Sequence, residues 1–277
     1  MKEQKSEYQN SAIENKKERD NSEAIKSLYR GVWAKKLVNG EKLPIGGSLF
    51  NNQELTLKLE LDFDTFEEQL ESFTEENIKN VYEQNKNLVI SWLDKVGSDV
   101  DPYTYFLCYQ VQQKIHKLLE VVPNTLEHST KREKKYSNQN IPKLSELKGI
   151  SECGERAALG QYLFQRVGVE SAYVSGICMK NAKDVDEFPD NHSFIVFKNP
   201  TNTNSSLIFD IARPRTPDKN VPRILETDVP FTYDLLKNEK DLLVESTEVL
   251  QGGKLWFGVG KNVAGHHETL KKDNKSK

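Results

Sequence analysis

The sequence predicts an α+β fold in which a mainly helical N-terminal region packs against one helix and an antiparallel sheet. Three observations support this prediction. Two helical patterns precede residue 125, a third follows Ser151, and strand-like runs separated by turn residues come after it. The expected organisation is a disordered or frayed tail over 1–24, a mainly helical region over 25–125, a helix-and-sheet core over 126–262, and a second disordered tail over 263–277.

Composition limits the function classes. The 277-residue chain has a formal charge of −3, without the basic excess of a nucleic-acid-binding protein. No apolar run approaches the ~18 residues of a membrane span. Three cysteines, none closely spaced, fit neither a disulfide framework nor a zinc site. We therefore expect no nucleic acid, no membrane, no metal and no cofactor, and a reducing compartment.

The first residues bear on location. Residues 1–21 hold ten charged side chains and lack the apolar run of a secretory signal. We expect a cytoplasmic protein, or a bacterial effector exported by a signal that is not readable in the sequence.

The N-terminal region combines short and long apolar patterns. Apolar residues within 27–50 predict a short helix, and alternation over 55–63 predicts a half-buried strand. Helical spacing over 74–96 and 102–121 predicts two longer helices. The charged segment 127–148 is expected to be a solvated loop, with a flexible cover or substrate-contacting segment as the alternative.

A cysteine lies at the predicted start of the next helix. Ser151 is the expected N-cap and the apolar pattern ends at Gly168, so Cys153 falls in the first turn. The unpaired N–H groups and the macrodipole at a helix start favour negative charge, which in general lowers a thiol pKa. They can also stabilise the oxyanion formed when a thiolate attacks a carbonyl. Cys153 is therefore a candidate nucleophile.

Later strands carry a histidine and an aspartate. Strand-like runs cover 169–179, 192–197 and 206–211. If Lys198 pairs with Asn204 across the intervening turn, antiparallel pairing puts His192 opposite Asp210, about 5 Å apart at Cβ. The aspartate would then fix the imidazole tautomer and stabilise imidazolium.

Each of these three residue types has a commoner role. A cysteine near a helix start is usually a small core residue, a histidine at a strand start is usually structural, and an aspartate ending a strand often forms a turn. Their joint occurrence in this order is far rarer by chance. Cys108 and Cys178 are expected to be core residues.

The chain resembles the transglutaminase-like superfamily in four runs: CGERAAL at 153–159, GVESAYVSG at 168–176, NHSFIV at 191–196, and Phe209-Asp210. The resemblance covers about residues 145–217. It implies a papain-like core with Cys153 as nucleophile, His192 as general base and acid, and Asp210 as the orienting group. It also implies thioester chemistry on a protein or peptide amide, as in a peptidase, a glutamine deamidase or a transglutaminase. We expect hydrolysis ahead of cross-linking.

Two departures from the family pattern concern the substrate. Gly154 stands where a tryptophan is common beside the nucleophile, and Ser193 stands where an aromatic residue commonly follows the histidine. The alternative function is a catalytically inactive transglutaminase-like module that binds or scaffolds, although intact Cys, His and Asp argue against it. The acyl acceptor, whether water or an amine, and the oligomeric state stay open.

The sequence also predicts the orientation of the charged side chains beside the thiol. Glu152 and Glu155 are expected to point to water, with Arg156 pairing with one of them. Cys153 N–H is the first expected oxyanion donor. Residues 138–140 are candidates for the second oxyanion donor, and 241–260 are expected to form a hairpin at the sheet. The arginines within 213–215 are expected to lie in a solvated loop, with a clamp for a carboxylate or phosphate as the alternative.

Overall fold

The computed structural model describes residues 33–45, 57–96, 98–122, 126–136, 141–178, 190–211, 221–227 and 261–262. The α-helices in these ranges are α1 (Glu67–Leu70), α2 (Glu75–Val96), α3 (Pro102–Leu118), α4 (Leu126–Tyr136) and α5 (Cys153–Arg166). The strands are β1 (Trp33–Lys35), β2 (Lys42–Ile45), β3 (Leu57–Glu60), β4 (Ser171–Cys178), β5 (Asp190–Lys198), β6 (Ser206–Phe209), β7 (Ile224–Thr227) and β8 (Lys261–Asn262). Short 3-10 helices cover Phe63–Phe66 and Leu144–Leu147. The predicted α+β class is confirmed.

Six of the described strands form one antiparallel sheet, in the order β1-β4-β5-β6-β7-β8. Strands β2 and β3 pair separately. Strand β1 comes from the N-terminal region and pairs with β4, with Trp33 opposite Ser175. The N-terminal region therefore contributes a strand to the same sheet as the core.

Helix α5 packs on one face of this sheet. A Cβ at Gly160 would lie 2.6 Å from Cδ1 of Ile195, so the helix approaches β5 closely here because glycine has no side chain. One turn later Phe164 stacks on Phe197 with 5.0 Å between ring centroids, and meets Phe209 edge-on at 5.8 Å. Odd-numbered residues of β5 and β6 therefore face α5, and the helix runs in the direction of β5.

The two long N-terminal helices were predicted correctly. Helix α2 confirms the prediction over 74–96, and α3 confirms the one over 102–121. Helix α3 begins where the Asp101 side chain accepts a hydrogen bond from Thr104 N at 2.8 Å. It ends earlier than predicted because Glu120 adopts φ 48°, which a right-handed helix does not continue. Buried residues of α3 join α5 in one hydrophobic core.

Two local predictions are wrong. In the described part of the expected short helix, strand β1 is present instead, because pairing with β4 outweighs a weak helical pattern. Strand β2 follows Gly40, where no helix was expected. The expected loop over 127–148 begins as α4. That helix is stable because one of its faces, formed by His128, Arg132 and Tyr136, is buried or nearly so.

The remaining expectations about the fold have mixed outcomes. The strand expected over 55–63 is present in its described part as β3, which ends at Glu60. The expected tails over 1–24 and 263–277 and the hairpin over 241–260 lie outside the described residues. None of the helices in the described ranges combines the length and apolar character that a bilayer crossing requires.

Candidate functional site

Cys153 is the first residue of α5. Its side chain is half-buried, whereas Cys108 is completely buried on α3 as predicted. Burial raises the pKa of the Cys108 thiol well above its ordinary value. The first N–H groups of a helix have no carbonyl partner within it and form the positive end of the macrodipole. Cys153 is thus the more accessible of these two thiols, and it lies where an anion is favoured.

The N-cap of α5 is Glu152, not the expected Ser151. The backbone N–H of Glu152 donates to Glu155 Oε2 at 2.9 Å, as in a capping box. Ser151 instead binds Arg156, whose Nη2 donates to the serine carbonyl oxygen at 2.5 Å and whose Nε donates to Oγ at 3.4 Å. The described hydrogen bonds of Arg156 therefore go to Ser151, and the expected pairing with a glutamate is wrong. Burial lowers the pKa of Arg156 from its ordinary value.

Glu155 is completely buried, contrary to the expectation that it points to water. Its Oε1 accepts hydrogen bonds from Tyr136 Oη at 2.5 Å and from Arg132 Nη2 at 2.6 Å. Burial by itself would raise the pKa of Glu155, but the charge of Arg132 and the hydrogen bonds to this carboxylate outweigh burial and hold the pKa below its ordinary value. Glu155 is therefore ionised and fully enclosed two residues after the thiol.

Arg132 reaches from α4 to the chain on both sides of Cys153. Its Nη1 donates to the carbonyl oxygen of Ile150 at 3.2 Å. Its Nε lies 3.2 Å from Glu152 Oε2, and its Nη2 lies 2.6 Å from Glu155 Oε1. One guanidinium thus binds the residue two positions before the cap, the cap itself, and the third residue of the helix.

Sequence reasoning missed Arg132 and Tyr136. Arg132 stands inside the charged run 131–135, and such runs usually lie in water. The overlooked signal was the four-residue spacing of His128, Arg132 and Tyr136, which puts them on one helix face. The Arg132 guanidinium also lies over the Tyr136 ring, 4.8 Å from its centroid.

The start of α5 lies level with the start of β5. Gly160 lies against Ile195, and Phe164, one helical turn later, lies against Phe197, two residues later on β5. Each of these separations corresponds to ~6 Å along its element. Cys153 precedes Gly160 by ~10 Å along the helix, which equals about three residues of a strand. Counting back three residues from Ile195 gives His192. The cysteine end of the helix is therefore near the level of the His192 backbone. Position 192 is even-numbered, so the register gives it the sheet face opposite α5.

The turn between β5 and β6 is longer than predicted. Lys198 pairs with Ser206 rather than with Asn204, so the register differs from the predicted one by two residues. The Asn199 side-chain oxygen accepts hydrogen bonds from the backbone N–H and the hydroxyl of Thr201, at 3.0 and 2.9 Å. Such local side-chain bonds stabilise a turn at the expense of strand pairing.

The predicted direct pairing of His192 with Asp210 is therefore wrong. His192 lies opposite Gly176 on β4. The observed β5–β6 register, extended by one residue, brings Asp210 opposite Phe194. Because the shift is an even number of residues, positions 192 and 210 keep the same face of the sheet. The side chain of His192 lies outside the described part of the structure.

Asp210 is buried, with 4% of its surface exposed, and is bound by Arg223. Arg223 Nη1 donates to Asp210 Oδ2 at 2.8 Å, and Asp210 N donates to the Arg223 carbonyl oxygen at 3.0 Å. Its neighbours Phe209 and Ile211 both lie against α5. The carboxylate therefore lies on the other sheet face. Sequence reasoning missed Arg223, which the β6–β7 pairing brings to this position.

Several expected contributors lie outside the described residues: 138–140, 213–215 and the side chain of Cys178. Within the described ranges, no group of three or more His, Cys, Asp and Glu side chains could hold a metal ion. No family model, no curated protein and no solved structure matches this chain. The assignment to the transglutaminase-like superfamily stays a prediction.

Proposed function

We propose that this chain is a cysteine-dependent enzyme with a papain-like, transglutaminase-like core, which transfers the acyl group of a protein or peptide amide through a thioester. The observation that carries the proposal is the position of Cys153. Its half-buried thiol lies at the first residue of α5, and that end of the helix is near the level of His192. A nucleophilic cysteine needs a favoured thiolate, oxyanion donors and a nearby base. The helix start provides the first two, and His192 is proposed as the third. Because position 192 lies on the sheet face away from α5, the proposal requires the imidazole to reach the thiol past the start of β5.

In the proposed reaction, His192 takes the proton of the Cys153 thiol, and the thiolate attacks the amide carbon. As the C–S bond forms, the carbonyl π electrons move to oxygen, and the oxyanion accepts a hydrogen bond from the Cys153 N–H. Loss of one such donor typically lowers the rate by about 10²–10³-fold. Collapse breaks the C–N bond, and His192 protonates the leaving amine. Water, deprotonated by His192, then cleaves the thioester to a carboxylic acid and restores the thiol.

Asp210 is proposed to orient the imidazole of His192, with Arg223 holding the carboxylate in place. A carboxylate accepts hydrogen bonds at both oxygens. Arg223 binds Oδ2 at 2.8 Å, so a bond from this arginine is compatible with a second one from an imidazole. The shared sheet face of positions 192 and 210 supports this role.

Hydrolysis is proposed ahead of cross-linking. Ser193, the residue after the histidine, is buried, and its hydroxyl accepts a hydrogen bond from Tyr173 Oη at 3.0 Å. It therefore belongs to the core and does not form an aromatic wall for an incoming amine. Mass spectrometry of glutamine-containing peptides, with and without an added primary amine, distinguishes the two outcomes. Amide-to-acid exchange in both samples indicates deamidation, whereas amine incorporation indicates transglutamination.

The proposed function predicts selective alkylation of Cys153. Purified protein is treated with iodoacetamide across a pH series, and each cysteine is followed by peptide mass spectrometry. Cys153 is expected to react at lower pH than Cys108, which is fully buried. His192→Ala is expected to abolish this selectivity and to lower turnover by about 10²–10⁴-fold, the usual contribution of a general base.

A matched control uses a second histidine. His116→Ala alters α3, which does not carry the nucleophile, and should leave the alkylation profile unchanged. Reactivity of Cys153 that equals that of Cys108 and Cys178, or that is the same in His192→Ala, would overturn the proposal. That result would favour the inactive binding or scaffold module.

A further inference from the structure

The turn that contains Cys153 is bound by side chains from two directions. From α4, Arg132 bonds to Ile150, Glu152 and Glu155. From within the helix, Arg156 bonds to the backbone and the hydroxyl of Ser151. Cys153 lies in the middle of this segment, and none of these bonds uses its thiol.

We propose that Arg132 is a positioning residue for the Cys153 nucleophile. It holds the first turn of α5 so that the thiol and the helix-start N–H groups keep one arrangement toward an incoming carbonyl. This inference rests on the proposed function, because the arrangement matters only if Cys153 attacks a substrate. Arg132 acts through Glu152 and Glu155 and does not itself touch the reacting atoms.

The distribution of hydrogen bonds around the cap supports this role. The Glu152 N–H is used by Glu155, and Glu155 is held by Arg132 and Tyr136. The next N–H group along the chain belongs to Cys153, the expected oxyanion donor. Donors in such a site must lie within about 2.7–3.1 Å of the oxyanion, so a small rotation of the turn removes the bond. Arg132 fixes this rotation by binding both sides of the cysteine.

Charge gives a second reason for Arg132. Glu152 and Glu155 place two carboxylates beside the thiol, and each would oppose a thiolate if left alone. Arg132 lies within 3.2 Å of Glu152 and within 2.6 Å of Glu155, so it offsets both. Only 12% of its side chain and none of the Glu155 side chain is exposed, so solvent screens the Arg132–Glu155 interaction little.

The arrangement requires an arginine in particular. Its planar guanidinium donates in three directions here, through Nε, Nη1 and Nη2. A lysine ammonium is a compact point charge that does not reproduce this fork. Arg132→Lys therefore keeps the charge and disturbs the geometry, which separates positioning from simple charge neutralisation.

The test compares Arg132→Lys with Arg166→Lys. Arg166 lies at the end of α5 distant from Cys153 and binds Glu67, so its variant makes the same chemical change away from the nucleophile. Two quantities are measured well below the melting temperature of each variant: the alkylation rate of Cys153 against pH, and hydrogen exchange of the peptide 150–159. Tyr136→Phe, which removes one bond to Glu155, provides a milder second variant.

Arg132→Lys is expected to slow alkylation of Cys153 by about tenfold, to move its pH profile, and to raise exchange over 150–159, since small displacements of a reacting group have large effects on rate. Tyr136→Phe should show the same changes to a smaller extent. Arg166→Lys should leave the alkylation rate at every pH and the hydrogen exchange at the wild-type level.

Two results would overturn the positioning role: unchanged exchange over 150–159 in Arg132→Lys, or equal changes in Arg132→Lys and Arg166→Lys. Failure of the proposed function is seen separately, as an unselective Cys153 in the wild-type protein. Because hydrogen exchange does not depend on activity, it decides in either case whether Arg132 holds the first turn of α5.

Discussion

Helix α5 has an arginine–glutamate–tyrosine cluster at each end, and the two clusters differ in burial rather than in chemistry. In each, the arginine and the tyrosine lie four residues apart on one helix and both bind the carboxylate of a glutamate on another element. The N-terminal cluster consists of Arg132, Tyr136 and Glu155, and the C-terminal cluster of Arg166, Tyr162 and Glu67. The glutamate side chain is 0% exposed in the first cluster and 43% exposed in the second.

This difference teaches how water sets the importance of an ion pair. A buried charge has lost its hydration, so removing its partner leaves an uncompensated charge in the interior. A half-exposed charge is rehydrated when its partner is lost, and such pairs typically contribute about 0–1 kcal/mol. The cluster beside Cys153 is therefore the sensitive one, although both contain the same residue types.

Arg132→Met should produce the largest effect, a decrease of about 3–5 kcal/mol in the free energy of unfolding, as expected when one partner of a buried ion pair is removed. Glu155 has no exposed surface, so water does not replace the guanidinium. Tyr136 and the Glu152 N–H would remain as its hydrogen-bond donors. Urea denaturation followed by circular dichroism measures the change.

The control for this prediction is the double variant Arg132→Met with Glu155→Gln. A glutamine has no charge, its oxygen accepts the hydrogen bond of the Glu152 N–H, and its amide NH2 group can donate to the Tyr136 hydroxyl oxygen. The double variant should recover roughly 2 kcal/mol, within the usual range of coupling between contacting residues. A double variant no more stable than Arg132→Met would contradict the buried-charge explanation.

The fold was predictable where apolar periodicity is strong. Helices α2, α3 and α5 and strands β4 to β6 follow patterns of apolar residues that depend on nearby sequence alone. Strand β1 was not predictable in this way, because three residues form a strand only by pairing with β4. The predicted β5–β6 register was wrong because the Asn199 side chain stabilises a longer turn. The pattern of apolar residues does not indicate the length of that turn.

The candidate site was predictable to a lesser extent. The placement of Cys153 at a helix start follows from local signals, and the structure has it there. The environment of Glu155 was not predictable, because burial of a glutamate depends on a partner from another helix. Arg132 is that partner, and the sequence shows it only as one member of a charge run. Long-range pairing of charges thus sets the limit of sequence reasoning here.

Acid should destabilise the protein through Glu155 more than through Glu67. Burial opposes ionisation of Glu155, but Arg132 and the other donors lower its pKa below the ordinary 4.5. The pKa of Glu67 is lowered too, chiefly by the Tyr162 hydrogen bond against the effect of burial, and then by Arg166. A carboxylate with a lowered folded-state pKa stabilises the fold fully above its unfolded-state pKa, and this contribution is lost as the pH falls through the folded-state pKa. The stability should therefore decrease below about pH 4.5.

Urea unfolding at several pH values between about 7 and 3 tests the two glutamates separately. Glu155→Gln should reduce the loss of stability at low pH more than Glu67→Gln does, because the wild-type Glu155 is enclosed and Glu67 is half-exposed. An equal reduction of that loss by both variants, or a wild-type stability independent of pH in this range, would contradict the prediction.

Arg166→Met should have the smallest effect, a decrease of about 1 kcal/mol or less in the free energy of unfolding. Arg166 Nη1 lies 2.7 Å from Glu67 Oε2, and Nε donates to the Phe73 carbonyl oxygen at 3.2 Å, but water reaches the glutamate when the arginine is gone. Tyr162→Phe is the matched control, since it keeps the stacking on Phe63 at 4.2 Å and removes only the hydroxyl. If Arg166→Met lowers the free energy of unfolding as much as Arg132→Met does, burial of the glutamate does not determine how sensitive each cluster is. The special role of the cluster beside Cys153 would then need a different physical basis.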